Sequence, residues 1–490
     1  MTGQEGTTIN NDERQTRIKK LRALQQLGIN PYPTLVSRSH TIAMAYASTL
    51  DSIVEIVGRL RARREMGKLT FCHLADESGQ IQIVFNEKQF GKEQYQLFLN
   101  YIDIGDIVGI KGTRFCTRAG EESILVSDWT LLAKSLLPLP DKFHGLHNEE
   151  LRYRKRYLDF LFNPENKAKI IVRSKVLKYL RQFLDGKGFT EVETPMLEIV
   201  ASGALAKSFE THINAFDLDI HLRIAGGELW HKQLLVGGFE KVYEIGRVFR
   251  NEGVDREHNP EFTMLEYYWA YANHMDNMRL HEEMIPFILE QSIGTQTIEY
   301  EGHTISFVPP YPSITFREAI LQHSDIDINN FDAVEDLRKS MKDKGFEVEE
   351  QAERGKLLDS LFKQSARPKI IQPTFVTEYP VELKPLTKRA ADPRYTAMFQ
   401  LVISGFELTN NYTELNDPID QRERLLEQMK MKEAGEDEYM AIDTNFIEAL
   451  EHGLPPTTGT GIGIDRFVAL ITGSHTLREV MTFPLMKPEV

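Results

Sequence analysis

The run Phe249-Arg250-Asn251-Glu252-Gly253, followed closely by His258-Asn259-Pro260-Glu261-Phe262-Thr263, decides the fold of this 490-residue chain. It predicts a strand, a loop and a returning strand. Arg250 and Glu252 stand two residues apart, so both would point to one face of a strand. An arginine there can hold a carboxylate or a phosphate, and the glutamate can accept from an amino group. With charge from Arg256 and His258 and the flat ring of Phe262, the run suits a nucleoside triphosphate beside an acid substrate, although an isolated Arg-x-Glu is as often a surface ion pair.

A glycine-rich run near the C-terminus supports this interpretation. The run Gly459-Thr460-Gly461-Ile462-Gly463-Ile464-Asp465-Arg466-Phe467-Val468-Ala469-Leu470 predicts a strand that leads tightly into a buried helix, because glycines permit close backbone approach. Arg466 would then lie at a helix N-terminus, where anions bind favourably. Taken alone, the run is also typical of an ordinary strand-to-helix connection.

Together the two runs resemble motifs 2 and 3 of the class II aminoacyl-tRNA synthetases, and the residues around them are similar to those of the lysyl-tRNA synthetases. The resemblance extends from Asn30-Pro31-Tyr32-Pro33 to Pro488. Gly188-Phe189-Thr190-Glu191-Val192-Glu193-Thr194-Pro195 resembles motif 1, which builds the dimer in this family. The resemblance implies a homodimeric ligase that activates L-lysine with ATP and transfers it to the 3′ end of tRNA(Lys).

Hydrophobic periodicity predicts two kinds of domain. Five alternating runs indicate the strands of an OB-fold barrel; they are Ile53–Leu60, Leu69–Leu74, Ile81–Phe85, Ile107–Phe115 and Ile124–Leu131. Beyond residue 166, long helices alternate with strand pairs, which predicts an α+β fold on a mostly antiparallel sheet flanked by helices and excludes a Rossmann-type synthetase. We expect an N-terminal extension with a basic helix at 1–50, an OB-fold anticodon-binding domain at 51–135, a linker at 136–165, and a catalytic domain at 166–490 with an insertion at about 275–375.

Composition narrows the setting in which this chain works. No apolar stretch approaches the roughly 20 residues that cross a bilayer, and the N-terminus is polar, so we expect a cytoplasmic protein without a membrane partner. Cys72 and Cys116 are too few for a disulfide framework or a zinc site, and both are expected to be buried free thiols. Charges balance over residues 1–150, so the net charge of −14 lies in the remainder. A nucleic-acid surface is therefore expected in the N-terminal part.

The resemblance also implies roles for particular residues. Arg250 and Arg466 are the expected catalytic residues: Arg250 would bridge the amino-acid carboxylate and the α-phosphate of ATP, and Arg466 would stack the adenine against Phe262. The full ATP set is Arg250, Glu252, His258, Asn259, Phe262, Glu407, Gly463 and Arg466. The lysine set is Gly203, Glu228, Arg250, Glu266, Tyr268, Asn410 and Glu414. Its acids suit an ammonium, which has three donors and no acceptor. Mg²⁺ is the expected cofactor, held by Glu407 and, if position 400 takes part, by Gln400.

In the barrel, Phe71, Gln82 and Glu121 match the anticodon-reading positions of the family. Phe71 would stack on a base, while Gln82 and Glu121 would hydrogen-bond its edge. Four arginines at 59, 61, 63 and 64 could present one strand face to the RNA backbone, or could simply be a solvated edge strand.

The sequence departs from the family pattern at four places. Gly226-Gly227 stands where a proline usually precedes the Glu228 position, and Ser202-Gly203-Ala204-Leu205-Ala206-Lys207-Ser208-Phe209 lacks the usual Arg-Pro pair. Glu257 stands where many bacterial members have an arginine. Gln400 replaces the glutamate of a frequent Arg-Phe-Glu run, so a carboxylate expected near the metal is missing.

Three alternatives have some support. The aspartyl and asparaginyl synthetases share this architecture, but the run from His258 to Phe262 and the set Glu266, Tyr268 and Glu414 disfavour them. The lysine ligase that modifies elongation factor P shares the catalytic domain without a barrel, whereas a barrel is predicted here. A catalytically inactive RNA-binding relative is the third, and retention of both arginines argues against it.

Overall fold

The computed structural model describes residues 11–140, 148–200, 203–204, 206–433 and 442–488 of the chain. Residues 1–10 of the expected extension, 141–147 of the expected linker, and Ser202 and Leu205 lie outside this description. The chain divides into two compact units, Met1–Gly145 and Leu146–Val490.

The N-terminal unit contains a closed five-stranded barrel. Its strands, in spatial order β1-β2-β3-β5-β4, are β1 (Ile53–Met66), β2 (Leu69–Ala75), β3 (Gln80–Asn86), β4 (Ile107–Cys116) and β5 (Glu122–Ala133). Apolar residues alternate with polar ones along β1, so Val54, Ile56 and Leu60 pack inside the barrel. The OB-fold prediction is confirmed.

Within residues 11–140, four helices accompany the barrel: α1 (Asn11–Gln26), α2 (Ile42–Ala47), α3 (Glu87–Phe90) and α4 (Lys92–Tyr101). Helix α4 packs against the core through Phe98, whose ring stacks on Phe85 with centroids 3.9 Å apart. The basic face of α1 partly serves this unit itself, because Arg17 donates to the carbonyls of Ile104 and Ser135.

The expectation that both cysteines are buried is half wrong. Cys72 is buried in the middle of β2, but Cys116 is exposed at the last position of β4. A strand-like pattern does not distinguish a barrel interior from the end of a strand.

The second unit is built on an eight-stranded, mostly antiparallel sheet with the order β14-β15-β16-β17-β18-β11-β10-β6. The strands of this unit are β6 (Thr190–Glu191), β7 (Leu197–Glu198), β8 (Glu210–Ile213), β9 (Leu218–Leu222), β10 (Lys241–Phe249), β11 (Glu261–Ala270), β12 (Thr297–Tyr300), β13 (His303–Ser306), β14 (Ser313–Thr315), β15 (Thr374–Thr377), β16 (Met398–Ile403), β17 (Phe406–Thr413) and β18 (Thr457–Gly463). The predicted α+β class is confirmed.

Helices cover the sheet. They are α5 (Glu149–Arg154), α6 (Arg156–Phe162), α7 (Pro164–Gly186), α8 (Glu228–Val236), α9 (His274–Ile293), α10 (Phe316–Ser324), α11 (Val334–Asp343), α12 (Arg354–Ser365), α13 (Pro418–Glu433), α14 (Thr444–Glu451) and α15 (Ile464–Ile471), with 3-10 turns at Ile328–Asn330, Arg367–Lys369, Val381–Leu383 and Leu477–Val480. Helices α7, α9 and α15 contribute Leu180, Ile285 and Val468 to the main core. Helices α10 to α12, within the segment expected to be an insertion, surround a separate apolar cluster.

Candidate active site

Strand β11 provides one wall of a cavity of about 350 Å³ in the second unit. Phe262, Met264, Glu266 and Tyr268 all line this cavity, because alternate residues of a strand point to one face. Glu266 and Tyr268 are buried, while Phe262 is half-buried. One strand therefore carries both an aromatic face and a carboxylate into the same cavity.

Strand β18 leaves room for a ligand because it presents glycines to the cavity. Gly459, Gly461 and Gly463 pair with Tyr268, Glu266 and Met264 across the sheet. A Cβ atom at Gly459 would collide with the side chains of Glu414 and Tyr268. The absence of a side chain at Gly459 thus lets Glu414 and Tyr268 pack against the strand at the cavity, and Gly463 also precedes α15.

Strand β17 completes the floor and leads to a second carboxylate. Asn410 and Tyr412 line the cavity, as does Glu414, which follows the strand directly. Asn410 donates to the Tyr412 hydroxyl at 2.6 Å. Every candidate in the catalytic domain borders this cavity: Gly203, Glu228, Arg250, Glu252, His258, Asn259, Phe262, Glu266, Tyr268, Gln400, Glu407, Asn410, Glu414, Gly463 and Arg466.

One end of the cavity is acidic. Glu228, the first residue of α8, lies there with Glu266 and Glu414. The fully buried ammonium of Lys232, one helical turn after Glu228, lies 2.8 Å from the Glu228 carboxylate and 2.6 Å from that of Glu414. Lys232 pairs with two of the three carboxylates, so this end is short of positive charge.

Burial and mutual repulsion alter the protonation of these acids. Burial, and then the charge of Glu228, raises the pKa of Glu266 to about 8. Burial also raises the pKa of Glu414 to about 8, even though Lys232 opposes the rise. Among the described residues, the buried Oε1 of Glu414 has no hydrogen-bond partner. A cationic group that entered here would find an unpaired acceptor and would favour the ionised carboxylates.

The Gly226-Gly227 departure has a steric reason in this structure. The amide of Gly226 donates to Glu266 Oε1 at 2.7 Å, and a Cβ atom there would lie 2.9 Å from that carboxyl carbon. Gly227 has φ +95° and caps α8, a conformation that glycine adopts most easily. The turn places Glu228 and orients Glu266.

The other end of the cavity is basic, and here one expectation is wrong. Arg250 and Glu252 lie just beyond the end of β10 rather than on the strand, so strand alternation does not orient them. Arg250 is held by its own contacts: its amide donates to the Pro260 carbonyl at 2.8 Å and its Nε to the Ile224 carbonyl at 3.1 Å. Its guanidinium lies 5.3 Å from the centre of the Phe262 ring, within cation–π range.

Arg466 occupies the first turn of α15, as predicted. Its Nη2 lies 3.2 Å from Nε2 of His258, whose Nδ1 lies 2.9 Å from Asp255. The adjacent Asp465 accepts from the Thr263 amide at 2.6 Å. These bonds join the two motifs and fix the guanidinium at the cavity.

The charged residues in the loop between β10 and β11 differ in whether they line the cavity. Arg256, considered a source of phosphate charge, forms an ion pair with Glu301 in the β12–β13 turn instead. Glu257 lines the cavity. Asn259 is buried and donates to the Glu261 carbonyl at 2.7 Å.

A polar cluster surrounds Glu407. Its two carboxylate oxygens lie 3.3 Å from Arg367 Nη1 and 3.3 Å from Gln400 Nε2. Gln400 accepts from the Tyr379 hydroxyl, so its amide oxygen is already engaged. Burial alone would raise the pKa of Glu407, but Lys384 and Arg367 hold it below its ordinary value. Among the described residues, no group of three or more His, Cys, Asp or Glu side chains is arranged to hold a metal ion.

The anticodon candidates share one region of the barrel. Gln82 pairs with His73 across β2 and β3 and donates to Ser123 Oγ at 2.9 Å. Glu121 is exposed and lies 3.6 Å from Nε2 of His73. Phe71, two residues before His73, is half-buried. Glu121 is therefore open to solvent and Phe71 is half-buried, whereas Gln82 is buried and its amide is engaged by Ser123.

The arginines of β1 do not form the RNA-facing row that the sequence suggested. Arg59 donates to the Gly105 carbonyl at 2.7 Å, and Arg63 to the Ile102 carbonyl at 2.8 Å. A register shift between Leu60 and Ala62 breaks the alternation. Because β1 is paired with both β2 and β4, it is not an edge strand either.

Several residues that line the cavity or pair with its acids were not predicted from the sequence. Tyr412 and Gly461 follow from alternation with Asn410 and Gly459, and Lys232 follows from its helical spacing to Glu228. No such periodicity points to Lys384, which lies in an irregular segment.

Comparisons with known proteins agree with the fold. Residues 148–487 match the family described as tRNA synthetases class II (D, K and N), and residues 54–132 match the OB-fold nucleic acid binding domain. The chain therefore belongs to the class II tRNA synthetases of the D, K and N group.

Within that family, the chain is similar to proteins named lysine–tRNA ligase. The protein from Pelotomaculum thermopropionicum is 48% identical over 98% of this chain and 95% of the relative. The protein from Moorella thermoacetica is 46% identical over 98% of this chain and 98% of the relative. The protein from Clostridium tetani is 44% identical over 100% of this chain and 99% of the relative.

Proposed function

We propose that this chain is a lysine–tRNA ligase, which forms lysyl-adenylate from L-lysine and ATP and transfers the lysyl group to the 3′ end of tRNA(Lys). The observation that carries the proposal is the acidic end of the cavity, where Glu228, Glu266 and Glu414 come together and Lys232 forms ion pairs with Glu228 and Glu414. A substrate with two ammonium groups offsets this deficit of positive charge. Its carboxylate then lies toward Arg250.

The reaction needs no protein nucleophile. An oxygen of the lysine carboxylate attacks the α-phosphorus of ATP, the bond to the β-phosphate oxygen breaks, and pyrophosphate leaves. In the second step a hydroxyl of the terminal ribose attacks the lysyl carbonyl carbon, and AMP leaves. Arg250 serves both reacting groups in the first step, so positioning and charge stabilisation supply the catalysis.

The basic end of the cavity suits ATP. Phe262 and Arg466 present a ring and a planar cation that can enclose the adenine, and Arg466 and His258 can reach phosphate oxygens. Gly463 gives close backbone approach at the start of α15, while Asn259 and the exposed Glu252 offer polar groups to the base.

Magnesium is the proposed cofactor, and Glu407 would be its protein anchor. A single carboxylate fits Mg²⁺ when phosphates supply most of the other ligands. When bound, the ion neutralises charge on the phosphates. Gln400 contributes a contact to Glu407, since its own oxygen accepts from Tyr379.

The barrel is proposed to read the anticodon of tRNA(Lys). Phe71 would stack on a base, and Gln82 and Glu121 would bond its edge. His73 beside Glu121 adds a further donor.

A homodimer is the proposed assembly. Apolar side chains after the motif 1 segment are exposed in the single chain, among them Met196, Leu197 and Ile199, and such a patch is typical of a subunit interface.

Among the described residues, no helix combines the length and apolarity needed to cross a membrane. A cytoplasmic location is proposed accordingly.

The carboxylates argue against the rival substrates. Aspartate would bring a like charge to Glu266 and Glu414, and asparagine would leave them without a cation. Arg250 and Arg466 both line the cavity, which argues against a catalytically inactive relative.

The decisive test is exchange of labelled pyrophosphate into ATP, without tRNA, in the presence of each amino acid in turn. We expect exchange with lysine alone. Exchange with aspartate or asparagine would establish the rival enzymes, and no exchange from folded, Mg²⁺-supplied protein would refute the synthetase proposal.

A further inference from the structure

Lys384 places a cation on the cavity wall that the function proposed above does not use. It follows the 3-10 turn Val381–Leu383 and lines the cavity beside Gln400 and Glu407. Its Nζ lies 3.5 Å from Asn410 Oδ1 and 5.3 Å from the centre of the Tyr379 ring. These contacts place the ammonium at the end of the cavity where Glu407 lies.

This ammonium is poorly satisfied by the protein. Among the described residues, its hydrogen bonding is limited to the long contact with Asn410, and no carboxylate lies within 4.0 Å. Burial lowers the pKa of Lys384, while the charge of Glu407 opposes the fall. An ammonium has three donors, so Lys384 keeps donors for an anionic ligand.

The groups around Lys384 also make this end of the cavity less negative than a site with two carboxylates would be. Position 400 carries a neutral amide where the family frequently has a carboxylate, and Glu407 already faces Arg367 and Gln400. These side chains therefore provide too few carboxylates for a cluster of metal ions. One carboxylate, one lysine and one arginine are instead suited to binding a polyphosphate.

We propose that Lys384 binds the phosphates of ATP directly, providing part of the positive charge that a second carboxylate and its metal ion would otherwise provide. This rests on the proposed function only in taking ATP as the ligand. A lysine acts on phosphate as a point charge, which suits a group that approaches from the wall. Binding of ATP should then persist, although weakened, when divalent ions are removed.

The test measures ATP binding by calorimetry in Mg²⁺ and in EDTA for Lys384→Met, Lys384→Arg and Lys388→Met. Lys388 is an exposed lysine in the same segment, outside the cavity lining, and its ammonium binds Asn416. Lys384→Met should weaken metal-free ATP binding about ten-fold or more, the scale of one charged hydrogen bond. Lys384→Arg and Lys388→Met should stay within about three-fold of wild type on the same scale.

Adenosine, which lacks phosphates, separates charge from shape. Its binding should be the same in wild type and Lys384→Met. Equal losses for adenosine and ATP, or a Lys384→Met protein that behaves like Lys388→Met, would overturn the proposal. If thermal melting shows that Lys384→Met does not fold, Lys384→Gln replaces it, and equal losses in the Gln and Arg variants would likewise overturn the proposal.

The outcome is independent of the amino acid that is activated. Wild-type protein that exchanges pyrophosphate with lysine while the Lys384 variants bind ATP normally refutes only the role of Lys384. Protein that binds ATP through Lys384 but shows no lysine-dependent exchange refutes only the proposed function.

Discussion

Glu414→Gln tests the acidic end of the cavity with little change of shape. Glu414 Oε2 lies 2.6 Å from Lys232, and Oε1 is buried without a hydrogen-bond partner in the described part of the chain. Glutamine keeps the size but removes the charge, so one charge-assisted bond to the substrate ammonium is lost. Such a bond is worth about 1.5–3 kcal/mol, which predicts that the KM for lysine rises roughly ten-fold to over a hundred-fold.

The same variant should change the pH dependence of lysine binding. Burial raises the pKa of Glu414 to about 8, so the free pocket carries a proton below that pH. The ionised carboxylate binds the ammonium, and that proton must therefore leave when lysine binds. Lysine affinity should rise as pH increases toward about 8 and level off above it, whereas Glu414→Gln should show a shallower rise because only Glu266 still titrates with a raised pKa.

Steady-state pyrophosphate exchange with lysine and ATP varied separately measures both effects. The KM for ATP should change by less than about three-fold, since the basic end is untouched. Glu448→Gln on α14 is the matched control, because Glu448 is exposed and outside the cavity. Equal rises in both KM values, or a lysine profile with the wild-type pH dependence, would refute the assignment of Glu414 to the lysine pocket.

Three further outcomes follow from the remaining sites. Arg250→Ala should lower exchange by about 100-fold or more with the assembly intact by light scattering, and a loss of only a few-fold would contradict its double role. Phe71→Ala should weaken aminoacylation by about 1–3 kcal/mol and leave tRNA-independent exchange unchanged; a defect in both assays would make Phe71 a barrel core residue. Gln400→Glu should lower the Mg²⁺ concentration for half-maximal exchange and Glu407→Gln should raise it steeply, whereas a magnesium titration unaffected by Gln400→Glu would confine Gln400 to its bonds with Tyr379 and Glu407.

Alternation made much of the site predictable. Once Phe262 and Glu266 are placed on one strand, Tyr268 must share their face, and the paired glycines at 459, 461 and 463 lie on that same face of the sheet. The α+β class followed from the order of helices and strand pairs, and the barrel from five short alternating runs.

The features that were missed depend on distant or irregular backbone. Arg256 pairs with Glu301, 45 residues away in a turn, so its neighbours in sequence gave no sign of that partner. Arg250 lies outside β10, where strand period no longer applies. Lys384 sits in a segment without regular structure, and only the folded chain brings it to Gln400 and Glu407.

The internal Lys232 contributes to the selectivity of the acidic end of the cavity. Without it, three neighbouring carboxylates in a buried site would retain protons, since like charges disfavour ionisation. Lys232 lies 2.8 Å from Glu228 and 2.6 Å from Glu414, which opposes the rise in the pKa of Glu414 and holds both carboxylates in position. Glu414 Oε1 is then left to an incoming ammonium, and a neutral isostere would leave this buried acceptor unpaired. An unpaired buried acceptor costs more free energy than a hydrogen bond contributes. The pocket therefore rejects a neutral substrate because that substrate leaves a buried acceptor without a donor.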